Sequence, residues 1–307
     1  MWWGSAGFVI GTILGSFVKV LADRSLNNRS FWGRSYCPKC KHQLHWYDLI
    51  PIVSYINLTG RCRYCNKKIG SEYILVEVVM GVLVGFLFWQ SSSNFQFSIL
   101  NFQSILNFQF SIFLLELVLK TFFVVILLAL FITDFKKMLI PDRIIIPSIV
   151  LGIIANLLLV FLKTGYLYFY LSQNIIGKFL LPPHSDYFRR HALMIAEPFL
   201  YSVVLAMAIG GFFLSLIIIT KGRGMGGGDV KLGIFLGLML GFPQAVLAMV
   251  LAFIIGAVFS IFLILLKKKR WGQIIAFGPF LVLGSFITLF WGNQILEWYL
   301  HILLPAT

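Results

Sequence analysis

Charge is scarce in this sequence. Asp, Glu, Lys and Arg make up 12% of its 307 residues, against about 25% in a soluble domain. With 59% hydrophobic residues alongside, that shortage excludes an ordinary water-soluble globule. Acidic residues are rarer still, eleven in all, so each can be weighed by itself. The apolar segment 5–21 has no basic region before it and carries its positive charges after it, which argues against a cleaved signal peptide and for a retained helix. The glycine-rich string 221–229, "KGRGMGGGD", lacks the Gly-Lys-Ser/Thr of a phosphate loop and follows no strand, so nucleotide phosphate binding is discounted there.

Apolar runs are what the chain has in quantity. Eight are read as spanning helices, at about 5–21, 73–90, 112–133, 144–162, 198–220, 230–242, 244–266 and 275–298, the sixth being short. The expected fold class is an all-α polytopic integral membrane protein with a small cytoplasmic zinc-binding module between the first two spans. A net charge of +14 would suggest nucleic acid in a soluble protein, but its distribution points elsewhere. Of 25 Lys and Arg, nine lie in 22–72, three in 134–143, three in 221–231 and four in 267–274, which are alternate loops on one membrane face. The opposite loops hold Lys163, Lys178, Arg189 and Arg190, while Lys19 and Lys120 fall inside spans. The positive-inside rule makes the richer face cytoplasmic and both termini external. The basic excess is thus topology plus attraction to anionic lipid, with no nucleic acid as partner. Two outer loops read as insertions: 163–197, and 91–111, a charge-free repeat of Asn-Phe-Gln with Ser-Ile-Leu attributed to low-complexity drift.

All four cysteines lie in the 22–72 loop, as Cys37-Pro-Lys-Cys40 and Cys62-Arg-Tyr-Cys65. Two such knuckles can place four thiolates in a tetrahedron around one Zn²⁺. A reducing cytoplasm disfavours disulfides, and no thioredoxin-like pattern surrounds either pair. With four protein ligands the site would be closed, hence structural rather than catalytic. His42 and His45 are read as surface or packing residues. Trp46, Tyr47 and Asp48 fit either a polar stacking site or the small core of the module.

Five carboxylates fall in or beside spans: Glu77, Glu116, Asp134, Asp142 and Asp229. Burying one in a bilayer costs on the order of 2.5–3.5 kcal/mol, which makes each a functional candidate. Asp142 suits a helix N-cap. Asp134 closes a helix, where the dipole opposes it and Lys136 and Lys137 offset that. Asp229 opens a helix and could cap it, but a cap does not require the preceding glycines. Gly226, Gly227 and Gly228 let backbone come close to a neighbour or substrate and adopt angles barred to other residues. By the inferred topology Asp134 and Asp229 lie at the same membrane edge on antiparallel spans, so their carboxyls can meet and share a proton. That is the equipment of an aspartic protease.

Taken together, these pieces resemble the type IV prepilin peptidases, bifunctional leader peptidases and N-methyltransferases of pilus and type II secretion systems. The resemblance rests on "GSFVKVLADR" at 15–24, the cysteine module, "WYDLIPIVSYINLTGRCRYC" at 46–65, "YILVE" at 73–77, "DFKKMLIPD" at 134–142 and "GMGGGD" at 224–229. It implies that Asp134 and Asp229 are the catalytic pair, with Gly226, Gly227, Gly228 and Asp229 as the Gly-x-Gly-Asp signature. It implies prepilin and pseudopilin substrates with a short basic leader, cut after a glycine at the cytoplasmic side of the inner membrane. It also implies methylation of the new N-terminal residue from S-adenosylmethionine; no glycine-rich fingerprint for that cofactor is visible. Lys19 stands where the family usually has Asn, Arg24-Ser25-Leu26 where it has Arg-x-Pro, and Ile74 where it has Pro. The chain is accordingly divided into a first helix at 1–21, the tetracysteine module at 22–72, a second helix with the low-complexity loop at 73–111, and an aspartic peptidase domain at 112–307. The competing reading is a membrane scaffold or a proton- or cation-coupled transporter with a zinc-ribbon docking module. Leader processing separates the two.

Overall fold

The computed structural model describes residues 2–94, 108–173, 175–183, 185–222, 225–267 and 275–303. Most of the Asn-Phe-Gln repeat, Arg223 and Gly224 of the glycine string, and the basic stretch 268–274 lie outside the described residues. What is described is helical: α1 (Trp2–Leu26), a short 3-10 turn (Trp46–Leu49), α2 (Val53–Asn57), α3 (Glu72–Asn94), α4 (Phe108–Lys137), α5 (Asp142–Gln173), α6 (Ile175–Phe179), α7 (Tyr187–Ile219), α8 (Gly227–Leu240), α9 (Gln244–Leu265) and α10 (Gly278–Leu303). Strand pairing among the described residues is limited to two isolated bridges, Tyr36 with Gln43 and Arg61 with Lys68.

Among the described residues, seven helices are long and apolar enough to cross a membrane. Side chains that would be a liability in water cover their outer surfaces, such as Phe161 at 74% exposure and Leu265 at 75%. Lipid is the solvent that such a surface requires, so the chain is a multi-pass membrane protein. The short sixth span falls in α8. Its 14 residues reach about 21 Å at 1.5 Å per residue, less than a hydrocarbon core of roughly 30 Å. The other difference is at the edges of the expected loop 163–197. There α5 runs on to Gln173 and α7 begins at Tyr187. Both helices continue past the charged residues used to end the spans, because a helix satisfies its own backbone whether lipid or water surrounds it.

The chain divides into two compact units: Met1–Ile99 with Lys120–Pro141, and Leu100–Leu119 with Asp142–Thr307. In the first, α1 lies against α3 along a glycine stripe. Gly7, Gly11 and Gly15 recur every four residues on α1 and are buried, which places them on one helix face. A Cβ on Gly11 would stand 2.6 Å from the Met80 carbonyl oxygen and 2.8 Å from the Gly81 Cα, and one on Gly15 2.8 Å from the Glu77 Cα. Helix backbones meet here without side chains between them, the arrangement by which small residues join helices in lipid.

In the second unit α8 lies among α5, α7, α9 and α10. Leu232, Phe235, Leu236 and Leu238 of α8 are buried, as is Asp229 near its start. Gly233 and Gly237 of α8 accommodate Phe213 and Ala206 of α7. An apolar helix too short to span is thereby covered by longer ones.

Replacing Gly11 by Val puts atoms where backbone now stands. The expected loss is about 1–3 kcal/mol, read as a lowered unfolding midpoint of the detergent-solubilised protein. The same change at Gly70, where a Cβ would meet nothing within 4 Å, should leave the midpoint nearly unmoved.

Candidate active site and metal centre

The two cysteine knuckles repeat one backbone design. The Cys37 N–H donates to the His42 carbonyl at 2.9 Å, and the Cys62 N–H to the Lys67 carbonyl at 3.0 Å. Lys41 and Asn66 turn the chain at φ +60° and +53° and donate their N–H groups back to the Cys37 and Cys62 carbonyls. Folding brings all four sulfurs within 4.8 Å of one another, with Cys37 Sγ and Cys65 Sγ 4.0 Å apart. Thiolates at roughly 2.3 Å around a tetrahedral metal are about 3.8 Å apart, so the donor set fits a metal ion. The cysteines are free thiols. Burial pushes the Cys37 thiol up, but backbone hydrogen bonding at Cys40 and Lys39 outweighs it and brings it to about 7. Backbone hydrogen bonding at His42 favours the Cys40 thiolate, but desolvation and the neighbouring Cys37 and Cys65 push it up to about 11. Crowded thiols resist ionising together, and a bound cation removes that resistance.

The histidines serve packing. His42 lies on Tyr64 with ring centroids 3.7 Å apart, and His45 stacks on Tyr47 at 5.2 Å. Asp48 anchors the second knuckle, accepting from Arg63 Nε at 2.9 Å and the Tyr64 hydroxyl at 3.0 Å. Desolvation, then hydrogen bonding with Tyr47 and Asp48, pushes the Tyr64 hydroxyl up. Trp46 is 77% exposed. Between the readings for this stretch, Asp48 builds the module and the indole stays outside it.

A cavity of about 900 Å³ opens between this module and the ends of α1 and α3, its wall including Asp23, Tyr36, Asp48, Tyr55, Tyr73 and Glu77. Beside it runs a charge network that centres on Lys19, only 2% exposed. Lys19 Nζ lies 2.7 Å from Asp23 and 3.1 Å from Glu72, and 4.8 Å above the Tyr73 ring. Lys136 on α4 lies 2.5 Å from Glu72 and 3.5 Å from Asp23, while Lys137 donates to the Leu26 carbonyl at 3.0 Å. The lysine that departs from the family pattern is thus matched by two carboxylates. Sequence reasoning noted Lys19 as a charge within a span and as a departure from the family pattern, and passed over Asp23 and Glu72. The i, i+4 spacing of Lys19 and Asp23 and the position of Glu72 at a span end were the available signal.

Glu77 is buried and accepts the Ile52 N–H at 2.8 Å. Ile52 holds φ +62°, a conformation costly for a β-branched residue. Glu116 pairs with Lys163 at 2.6 Å. Asp142, expected as a cap, is the first residue of α5 and pairs with Lys231 of α8 at 2.5 Å.

The two aspartates fall one in each unit. Asp134 lies in the penultimate position but two of α4 and is 6% exposed. Asp229 lies in the first turn of α8, is 9% exposed, and accepts the Gly226 N–H at 3.4 Å. Gly226 has φ −89°, which any residue adopts, so backbone freedom does not explain that glycine. A Cβ on Gly226 or Gly227 would meet nothing within 4 Å. Neither position is small because the chain fills the space around it.

The fold and these groups define a polytopic membrane protein with buried carboxylates at helix ends and a four-thiol module. Residues 9–91 match the family model described as the bacterial peptidase A24 N-terminal domain, and residues 121–261 that of the type IV leader peptidase family. A prepilin leader peptidase/N-methyltransferase of Aeromonas salmonicida is 30% identical over 274 residues, covering 88% of this chain and 76% of that protein. Proteins of the same name from Pseudomonas aeruginosa and Bacillus subtilis are 29% and 26% identical. They cover 87% and 97% of this chain, and 74% and 98% of their own lengths. No solved structure matches the chain. The chain belongs to the type IV leader peptidase family.

The thiol cluster should retain one metal ion per chain through purification in detergent. Cys37→Ser or Cys62→Ser should lower the metal content measured by mass spectrometry to a minor fraction and make the 22–72 segment easier for an added protease to cut than in the wild type.

Proposed function

We propose that this protein is a membrane-embedded aspartic endopeptidase that removes the basic leader of prepilins and pseudopilins and methylates the new N-terminal residue. Its family and the names of its relatives support both activities. The observation that carries the peptidase reading is the burial of Asp134 and Asp229 at helix ends, since a carboxylate beside hydrocarbon is costly to keep and a functional candidate for that reason. In this reading the ionised member takes a proton from the attacking water, and the protonated member donates to the scissile carbonyl oxygen. Gly226, Gly227 and Gly228 leave clearance beside Asp229 for an extended substrate strand. The positive-inside count supports a cytoplasmic location for the module, both aspartates and the cleavage point, and the membrane in this reading is the inner one. The functional division follows the chain: the 22–72 module and its flanking helices for methyl transfer, 112–307 for proteolysis.

For the four thiolates we take Zn²⁺ as the metal, in a closed and therefore structural site. For methyl transfer the cavity beside the module suits S-adenosylmethionine: about 900 Å³ lies within the usual range for cofactor sites. Its wall carries Tyr36, Tyr55 and Tyr73 as aromatic surface for a purine, carboxylates for an amino group or a sulfonium, and lysines and arginines such as Arg34 and Lys39 for a carboxylate. Bound there, the cofactor supplies an electrophilic methyl group. The chain's part is to hold the substrate amine in line with it and keep competing water out.

Co-expression with a prepilin tests the peptidase. Asp134→Asn and Asp229→Asn should each slow leader removal by roughly 100- to 10,000-fold, read from the mass of the pilin N-terminus, without loss of membrane insertion. Undiminished cleavage in both would turn the assignment towards an ion-coupled transporter. Gly228→Val should likewise abolish cleavage in an inserted protein. A fully active Gly228→Val enzyme would refute the clearance role of the glycines.

A further inference from the structure

We propose that Glu77 is the anion that pairs with the positive charge of a methyl-sulfonium ligand, S-adenosylmethionine, in the cavity of the first unit. The inference rests on the methyltransferase reading above and assigns a residue to it.

Three carboxylates were named on the cavity wall, and two are already matched. Asp23 is held by Lys19 at 2.7 Å and Lys136 at 3.5 Å. Asp48 is held by Arg63 at 2.9 Å and by the Tyr64 hydroxyl at 3.0 Å. Glu77 differs. It is 8% exposed and accepts the Ile52 N–H at 2.8 Å and a hydrogen bond from the Ser16 side chain, but it makes no ion pair with a lysine, arginine or histidine among the described residues. A buried carboxylate with two neutral donors and no cation has its lone pairs met but its charge unpaired. A cationic ligand in the cavity completes it, and a sulfonium is such a cation.

The surroundings suit that role. Glu77 sits where α3 meets α1 backbone to backbone at Gly15, so its Cα is fixed on a rigid element. Ile52 ties it from the module side, which couples the folding of the metal-bearing loop to the position of the carboxylate. Glu77 is a binding residue in this account. No proton transfer is asked of it.

The test compares S-adenosylmethionine with S-adenosylhomocysteine, which has a neutral thioether in place of the sulfonium and otherwise the same adenosine and amino acid. Each is titrated into the full-length solubilised protein, wild type and Glu77→Gln, by calorimetry. Gln keeps an oxygen for the Ile52 N–H and removes only the charge. The expected result is a roughly ten- to hundredfold loss of S-adenosylmethionine affinity in Glu77→Gln, with S-adenosylhomocysteine binding largely retained. Glu77→Asp should regain part of the discrimination. Metal content equal to wild type certifies that both variants are folded. Equal losses for the two ligands, or none, overturn the role of Glu77 while leaving the cofactor reading intact. Failure of the wild type to bind either ligand removes the cofactor reading itself, and the inference with it.

Discussion

The cost of holding charge beside hydrocarbon is the constraint on which this structure turns. Lys19 is fully buried in a spanning helix, a position that an insertion scale penalises by several kcal/mol. It is tolerated because Asp23 on its own helix and Glu72 on α3 stand at 2.7 and 3.1 Å. That match depends in turn on how closely α1 and α3 approach. The glycine stripe brings the two backbones together, and one turn beyond Gly15 the same proximity delivers Lys19 to Glu72 and to the Tyr73 ring. Packing and electrostatics are one device here, since a bulkier residue at the stripe would also separate the charges.

Most of the architecture was legible in the sequence because lipid imposes a strong pattern. Apolar runs announce spans whatever their partners, and the two Cys-x-x-Cys pairs announce a thiol cluster before any coordinates. Less was legible where a residue's meaning depends on a neighbour distant in the chain. Lys19 read as an anomaly within a span, and only Glu72, 53 positions later, accounts for it. Asp48 was open between a stacking site and a core, and only the second knuckle, through Arg63 and Tyr64, decides. Helix ends at Gln173 and Tyr187 eluded a reading based on charge, since charged residues mark the membrane surface but do not stop a helix.

The glycines before Asp229 changed meaning in a different way. Conformational freedom was one reason to place them there, and an ordinary φ of −89° at Gly226 withdraws it for that position. Close internal packing is the reason for Gly233 and Gly237, a turn or two further on, where a Cβ would strike Phe213 or Ala206. At Gly226 and Gly227 it is no reason at all, because the space beside them is open. One helix therefore uses glycine for close packing along its length and has open space beside the glycines at its mouth. In the proposed reading that open space is what a substrate strand occupies.

The end of α4 ties Asp134 to the cavity of the first unit. Asp134 is followed by Lys136 and Lys137, whose presence at a helix C-terminus could be put down to the dipole alone. Their contacts are more specific than a dipole requires: Lys136 reaches Glu72 and Asp23, and Lys137 reaches the Leu26 carbonyl. Asp23 also lines the cavity that contains Glu77. The helix end that carries Asp134 is therefore fastened to the same α1 and α3 that form the wall of the cavity. Within the first unit, Asp134 cannot shift without moving the cavity wall to which its helix end is fastened.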